Sequence, residues 1–456
     1  MKEAMIFTKC LGINDIKALH TQKCDPKTGE TEVIDCINLT TTPDGALEKV
    51  QGVSTVFTHT APIIQLTSGE RFIFQDAIDT NEWNGVHVST PFPLVSGPIC
   101  HTPIDVRVNN GVKVYKSKNS ASTVSAEAVL GTNPDPTTSM VYSAMPVFEQ
   151  AFVYNAKLYC VNTADQRFLQ YSKDYHYDLW PVQDAFFGHV DPIINAGGIY
   201  SEKAGDSGCI LCMHDEGMTL YDGSGPSDFT TKFYALHPYK ETMYSGFISK
   251  QYGYGHVFLC ADGIFFIDPS GNVTNLTLNT FQHIDSLNTR YYCSIVEDGK
   301  FLAFGNNVTI EYDFRTKCAM KRQPRDIIGA TTWNNTNYFA ANNTILTTTG
   351  AMDDTTLTAS VTFPYSTLGE PGAKSVSDLY FTGVISDTVE ITATDEYGNC
   401  WTVDVDGSED PFYNRRIKTP RKVLGNHLSF SVNAYNGGTL RIETLRAVFT
   451  SSQRSR

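Results

Sequence analysis

A short hairpin recurs along the chain, and this repetition narrows the possible folds more than any other feature. Lys157-Leu-Tyr-Cys-Val161 is followed by Arg167-Phe-Leu-Gln-Tyr-Ser172, and Cys209-Ile-Leu-Cys-Met213 by Met218-Thr-Leu-Tyr-Asp222. The unit returns as His256-Val-Phe-Leu-Cys260 with Ile264-Phe-Phe-Ile-Asp268, then as Phe301-Leu-Ala-Phe304 with Val308-Thr-Ile-Glu-Tyr-Asp313. Tyr338-Phe-Ala-Ala341 with Ile345-Leu-Thr-Thr348 is a further copy, and Arg71-Phe-Ile-Phe74 and Val112-Lys-Val-Tyr115 are weaker ones. Asp-Gly, Gly-Asn-Asn and Asn-Asn join the strands, residues that reach positive φ at low cost and so make tight hairpins. Helix signals are almost absent.

First-strand starts fall near 72, 112, 157, 209, 256, 301 and 338, a spacing of roughly 37 to 52 residues. Radially repeated four-stranded blades space their hairpins by about 40 to 50 residues, because no blade can bury both sheet faces alone. The expected fold is all-β: a β-propeller of six or seven blades over 51–355. The pattern changes beyond 360, where Ser377-Asp-Leu-Tyr-Phe381, Val389-Glu-Ile-Thr-Ala393, Trp401-Thr-Val-Asp-Val405, Leu428-Ser-Phe-Ser-Val432 and Leu440-Arg-Ile-Glu443 alternate apolar with polar. That alternation suits a small β-sandwich over 360–450 with one wet face per sheet. Residues 1–50 are expected to form an arm or to complete a blade, and 451–456 a basic tail.

Composition agrees. A hydrophobic fraction of 41% fills a sizeable core, and 18% charged residues are too few for a disordered chain. No run of 18 apolar residues predicts a membrane span, and the opening MKEAMIFTKCLGIND lacks the apolar stretch of a signal peptide. Eleven scattered cysteines, an odd number, read as free, mostly buried thiols made in a reducing cytoplasm.

The net charge of -14 is unevenly spread. Residues 415–456 hold nine Lys/Arg and one acid, a net +8, which leaves 26 Lys/Arg against 48 Asp/Glu in 1–414, a net -22. Such asymmetry suggests that different surfaces meet different partners. Arg415-Arg-Ile-Lys418-Thr-Pro-Arg421-Lys422 concentrates five cations in eight residues. It is either a solvated loop between strands or a patch for an anionic surface, protein or nucleic acid.

Motifs that would carry chemistry are sparse. Gly205-Asp206-Ser207-Gly208 is the string around a chymotrypsin-like nucleophile, but His87 and His101 lack the matching context, and the string is also ordinary turn chemistry. Cys209-Ile-Leu-Cys212-Met-His214 mimics a zinc set. On a strand, however, 209 and 212 point to opposite faces, so only Cys212 and His214 share one, and two ligands do not make a tetrahedral site. Asp174-Tyr-His-Tyr-Asp178 with Trp180 has the content of a sugar site, and Asp404-Val-Asp-Gly-Ser-Glu-Asp410 an incomplete calcium loop; Asp-capped turns explain both. There is no Walker loop or dinucleotide fingerprint, and no cofactor or metal is expected.

The layout resembles the tail hub or nozzle proteins of short-tailed bacteriophages, also called packaged-DNA stabilisation proteins. The resemblance rests on the opening segment Cys36-Ile-Asn-Leu-Thr-Thr-Thr-Pro-Asp-Gly-Ala-Leu-Glu-Lys-Val-Gln-Gly52 and the hairpin repeats. It rests also on the closing Arg421-Lys-Val-Leu-Gly-Asn-His-Leu-Ser-Phe-Ser-Val432 and Gly438-Thr-Leu-Arg-Ile-Glu-Thr-Leu-Arg446. It implies a structural virion protein, located in the tail, without enzyme activity and without catalytic residues. The implied assembly is a sixfold ring that extends the portal–adaptor channel, retains packaged DNA and passes it on ejection. Implied partners are further copies of the chain, adaptor and portal proteins, tail fibres or a needle, and genomic duplex DNA in transit without specific binding. On this resemblance Glu297, Asp298, Asp353 and Asp354 are expected at the channel or its rim, where acidic walls keep phosphate mobile. Arg415, Arg416, Lys418, Arg421 and Lys422 are expected to dock a neighbouring subunit or adaptor. The alternatives are a propeller-type hydrolase, acting on glycans or through Ser207, and a receptor-binding tail component.

Overall fold

The computed structural model describes residues 2–8, 35–58, 151–161, 165–174, 180–181, 184–201, 208–278, 284–333, 336–341, 344–352, 357–370, 372–408, 410–419, 424–435 and 438–452. Five short strands between 72 and 143 complete the described set. The chain is all-β. Five successive four-stranded antiparallel blades form the propeller body, the fourth of them running on into a larger sheet. The first runs Ala151–Tyr154, Lys157–Val161, Phe168–Tyr171 and Ala185–Phe187; the second Ile193–Ile199, Cys209–His214, Gly217–Asp222 and Thr230–Tyr234. The third is Tyr244–Ser249, Gly253–Cys260, Gly263–Ile267 and Val273–Asn275, and the fourth Tyr291–Glu297, Lys300–Gly305, Thr309–Asp313 and Cys318–Arg322. The fifth takes Ile327–Trp333, Thr336–Ala341 and Thr344–Met352 and closes with Gln51–Thr58. One strand from the far end of the repeat thus completes the last blade.

The hairpins legible in the sequence are the middle two strands of each blade, not the first two. Their residues are apolar on both faces because neighbouring blades cover both faces. In Cys209–His214 every residue is buried. Ile210 and Cys212 pack toward the 151–187 blade with Tyr159 and Leu169, whereas Cys209, Leu211 and Met213 pack toward the 244–275 blade with Phe258 and Ile267. The outermost strand Thr230–Tyr234 is almost wholly exposed, so its composition carries no such mark.

The turns follow their residues. Asp298 (φ 45) and Gly299 (φ 70) join Glu297 to Lys300, and Asn155 (φ 45) and Ala156 (φ 64) join Tyr154 to Lys157. Two consecutive positive φ values make the type I′ turn that matches strand twist. First strands meet closely near the axis. A Cβ on Gly197 would lie 2.3 Å from Ser245 Oγ in the next blade, and one on Gly198 2.9 Å from Tyr154 Cβ in the preceding blade.

Upstream, the weaker copies do not start two blades. Phe72–Gln75 and Lys113–Ser117 pair with each other, and Ile99–Pro103 lies on the far side of the latter, so both belong to one three-stranded sheet. Their spacing matched the blade period, but two strands a long connection apart can share a sheet as readily as begin two. A second three-stranded sheet joins Val124–Ser125, Val141–Ser143 and Trp180–Pro181.

The sandwich draws on both flanks of the propeller. One sheet orders Leu39–Thr41, Leu47–Lys49, Leu440–Ser452, Ala373–Ile385 and Phe412–Lys418, with Lys2–Thr8 paired to Leu440–Ser452. The N-terminal strands are therefore sandwich strands rather than a separate arm. The facing sheet continues directly from the fourth blade: Cys318–Arg322 pairs in parallel with Asp35–Ile37, followed by Ala359–Thr362, Leu428–Ala434, Val389–Asp395 and Cys400–Val405. Phe7, Leu39, Leu379, Phe381, Val432 and Phe449 fill the core between the sheets. The alternation of Ala373–Ile385 is the burial of every second residue against that core.

Candidate functional site

A functional-looking feature lies where the fourth blade meets the sandwich. Thr309, Glu311 and Asp313 alternate with Ile310 and Tyr312, so one face of this central strand is polar and the other joins the blade core. The polar face meets the strand Leu39–Thr41. Glu311 is 1% exposed and accepts from Thr40 Oγ1 at 2.6 Å; Arg322 Nε lies 2.5 Å from it and Lys300 Nζ 3.5 Å. Asp313 takes Arg315 at 3.1 Å and Thr41 Oγ1 at 3.4 Å. Burial works to raise the Glu311 carboxyl, but Arg322 and Lys300, with the Thr40 hydroxyl, outweigh it and hold it at about 2. The Glu311 carboxylate is thus held in ionised form by its cationic neighbours.

Beside this network opens a cleft of about 860 Å³, lined by Thr40, Thr41, Glu48, Lys300, Arg315 and Arg322 among others. Glu297 and Asp298 form its acidic lip at the tip of a hairpin. Asp298 is 84% exposed, with Arg315 Nη1 at 3.7 Å. On the opposite wall Glu48 is tied to Arg441 at 3.1 Å, and the same guanidinium reaches Asp44 at 3.0 Å. The cleft is a polar groove of mixed charge, able to seat a hydrogen-bonding ligand or a partner's side chains.

The residues singled out from sequence are distributed as follows. Glu297 and Asp298 stand together at the cleft; Asp353 and Asp354 lie outside the described residues. Arg415, Arg416 and Lys418 sit on Phe412–Lys418, the edge of its sheet, whereas Arg421 and Lys422 lie outside the described residues. The described three do not make one patch. Arg415 lies over the Phe412 ring at 4.3 Å and donates to Asp406 O, while Arg416 pairs with Asp378 at 2.7 Å. Ile417 between them points into the core, so Arg416 and Lys418 share the outer face.

Of the Gly205–Gly208 string only Gly208 is described. Its φ is +87°, and a Cβ there would lie 2.2 Å from Ile199 O, so this glycine answers a backbone demand. Tyr175, His176, Tyr177 and Asp178 lie outside the described residues, while Asp174 pairs with Lys157 at 2.6 Å. Cys209 and Cys212 point to opposite faces and into different cores, which excludes their joint ligation. Cys160, Cys209, Cys212, Cys260 and Cys318 are buried, and Cys400 is exposed.

Sequence reading overlooked the Glu311–Arg322–Lys300 network. The signal was present: Thr309-Ile-Glu-Tyr-Asp313 puts two acids in the middle strand of a blade, where the other copies are nearly all apolar. Charges at a position covered by neighbours require partners, and so mark an interface.

No protein-family model matches the chain, and no curated protein matches it. Solved structures similar to it are of low identity. An exo-β-1,3-galactanase from Phanerochaete chrysosporium is 10% identical with a TM-score of 0.31, covering 67% of this chain and 96% of that one. BBS1N, in its complex with ARL6DN, is 9% identical with a TM-score of 0.35, covering 65% and 96%. A streptogramin B lyase is 9% identical with a TM-score of 0.31, covering 47% and 80%. The expectation of a chain without enzyme activity is corrected by this set: the similar folds include galactanases and a lyase, so propeller architecture is no ground for excluding activity. Among the described residues no helix is long and apolar enough to cross a membrane.

Proposed function

We propose that the chain is a tail hub or nozzle subunit of a short-tailed bacteriophage, assembling with further copies into a ring below the portal and adaptor. The observation that carries the reading is the uneven distribution of charge along the chain. Residues 1–414 carry a net -22 and 415–456 a net +8. The strand Phe412–Lys418 ends its sheet, with Arg416 and Lys418 on the outer face. An open edge bearing cations resists pairing with copies of itself and favours an acidic partner surface. The acidic body suits a wall along which duplex DNA moves without sticking. Glu297 and Asp298 belong to that wall or its rim in this reading. Native mass measurement of the purified chain, alone and with its adaptor, tests it: a ring of several copies is expected. A chain that stays monomeric under both conditions and forms no ring with the adaptor sinks the reading.

The cleft favours a second reading, a propeller-type hydrolase acting on glycans. Glu48, Glu297 and Asp298 place carboxylates around a polar groove large enough for a sugar unit. A glycan panel assayed with the parent and with Glu297→Gln and Asp298→Asn decides it. Turnover by the parent that both variants lose supports a glycosidase at this cleft, and turnover that neither variant loses moves the activity elsewhere.

A further inference from the structure

The crossover between the first two described four-stranded blades brings His189 and Asp191 against His214, and neither the ion-pair network nor the cleft uses these three residues. The backbone of the crossover is fixed: Gly188 N donates to Arg167 O at 2.8 Å and Ile193 N to Gln166 O at 2.9 Å. His214 ends the strand Cys209–His214 and is 2% exposed. The His189 ring lies flat on it, with centroids 3.6 Å apart and planes 10° from parallel. Asp191 Oδ2 is 3.6 Å from His189 Nδ1. Ligand-capable atoms of all three side chains fall within 4.8 Å of one another.

The state of His214 is the informative part. Its Nε2 lies 3.0 Å from Thr219 Oγ1, while its Nδ1 is buried without a hydrogen-bond partner. A proton on Nδ1 would be buried unpaired. The arrangement that satisfies the most groups puts the proton on Nε2, donated to Thr219, and leaves Nδ1 as a bare lone pair. A neutral imidazole oriented through its other N–H is how proteins hold a metal-ligating histidine.

We propose that His214 Nδ1, His189 and Asp191 form a site for a divalent transition cation of the zinc class, with a fourth position open to water. Two imidazoles and one carboxylate suit zinc, cobalt or nickel, whereas calcium and magnesium ask for more oxygen. Binding requires the His189 ring to turn out of the stack so that its nitrogen and His214 Nδ1 converge. His189 is 21% exposed. The bound cation then staples the 188–192 crossover to the central strand of the second blade and ties two blades together.

The test uses the full chain, stripped with a chelator and titrated with zinc by calorimetry, with cobalt as a spectroscopic probe. Saturable binding is expected, with the strong visible absorption of a four-coordinate cobalt site and a raised melting temperature. His189→Ala and Asp191→Asn alter partly exposed side chains, and each should weaken zinc binding at least about tenfold; Thr219→Val, which frees the His214 ring, should weaken it about 10- to 100-fold. Absence of saturable zinc binding overturns the proposal, as does zinc affinity unchanged in both His189→Ala and Asp191→Asn. The far-ultraviolet spectrum of each variant checks its fold, and where one variant misfolds the other decides.

Discussion

Thr40 of the sandwich donates a hydrogen bond to Glu311 of the propeller at 2.6 Å, across 271 residues of sequence. The bond is one strand of a joint that also includes Lys300, Arg322 and the parallel pairing of Ile37 with Lys321. Asn38 N donates to Lys321 O at 3.1 Å, and Gln323 N to Asn38 Oδ1 at 2.6 Å. Backbone and side chains thus fasten the two bodies at the same place.

Arg322→Ala should therefore cost up to about 3 kcal/mol, since it leaves the buried Glu311 carboxylate with Lys300 as its one remaining ion-pair partner among the described residues. Glu311 adds a pH signature. Its carboxyl is lowered from 4.5 to about 2, so its contribution to stability is complete above about 4.5 and disappears as pH falls toward about 2. Denaturant midpoints of the parent should decline through that window more steeply than those of Glu311→Gln. Parallel declines would show that Glu311 is not the titrating group.

Ala156 occupies the left-handed region in a type I′ turn that favours glycine. Left-handed backbone costs an L-residue roughly 1–2 kcal/mol, part of which glycine returns as unfolded-chain entropy. Ala156→Gly should stabilise the chain by about 1 kcal/mol. Urea unfolding measures it, and a loss of stability would contradict the turn assignment.

Gly198 lies where two first strands approach closely. The contact a new methyl would meet is Tyr154 Cβ at 2.9 Å, an atom fixed to the backbone that cannot rotate away. Gly198→Ala should cost about 1–3 kcal/mol through overpacking. Gly225→Ala, with nothing within 4 Å of its new Cβ, is the control and should change the midpoint little.

Reversing Arg415, Arg416, Arg421 and Lys422 to Glu should block assembly of tailed particles while leaving the isolated chain folded. Electron microscopy of particles made with the variant reads the outcome. Normal tails would remove the docking role from this segment.

The propeller was legible because each blade's middle strands are covered on both sides and so read as short apolar runs; Gly263–Ile267 is an example. First and fourth strands were not legible. Val273–Asn275 is largely exposed, and Ile193–Ile199 spends two positions on glycine to admit its neighbours. The sandwich strands showed in their alternation, but the membership of Lys2–Thr8 and Leu39–Lys49 did not, since pairing partners hundreds of residues away leave no local trace. The His189–Asp191–His214 group was hidden for the same reason. His214 was noticed beside Cys212, whereas its actual neighbours come from the preceding crossover.

The closure of the fifth blade by Gln51–Thr58 sets an order on synthesis. That strand leaves the ribosome long before its partner Thr344–Met352 exists, and Leu39–Lys49 waits longer still for Leu440–Ser452. Until residue 352 has been made, Gln51–Thr58 lacks this partner strand, and long-range pairings of this kind form slowly. The chain therefore spends most of its translation in a form open to pairing with copies of itself. Slower elongation, or lower temperature during expression, is the natural means of bringing it through to the completed fifth blade.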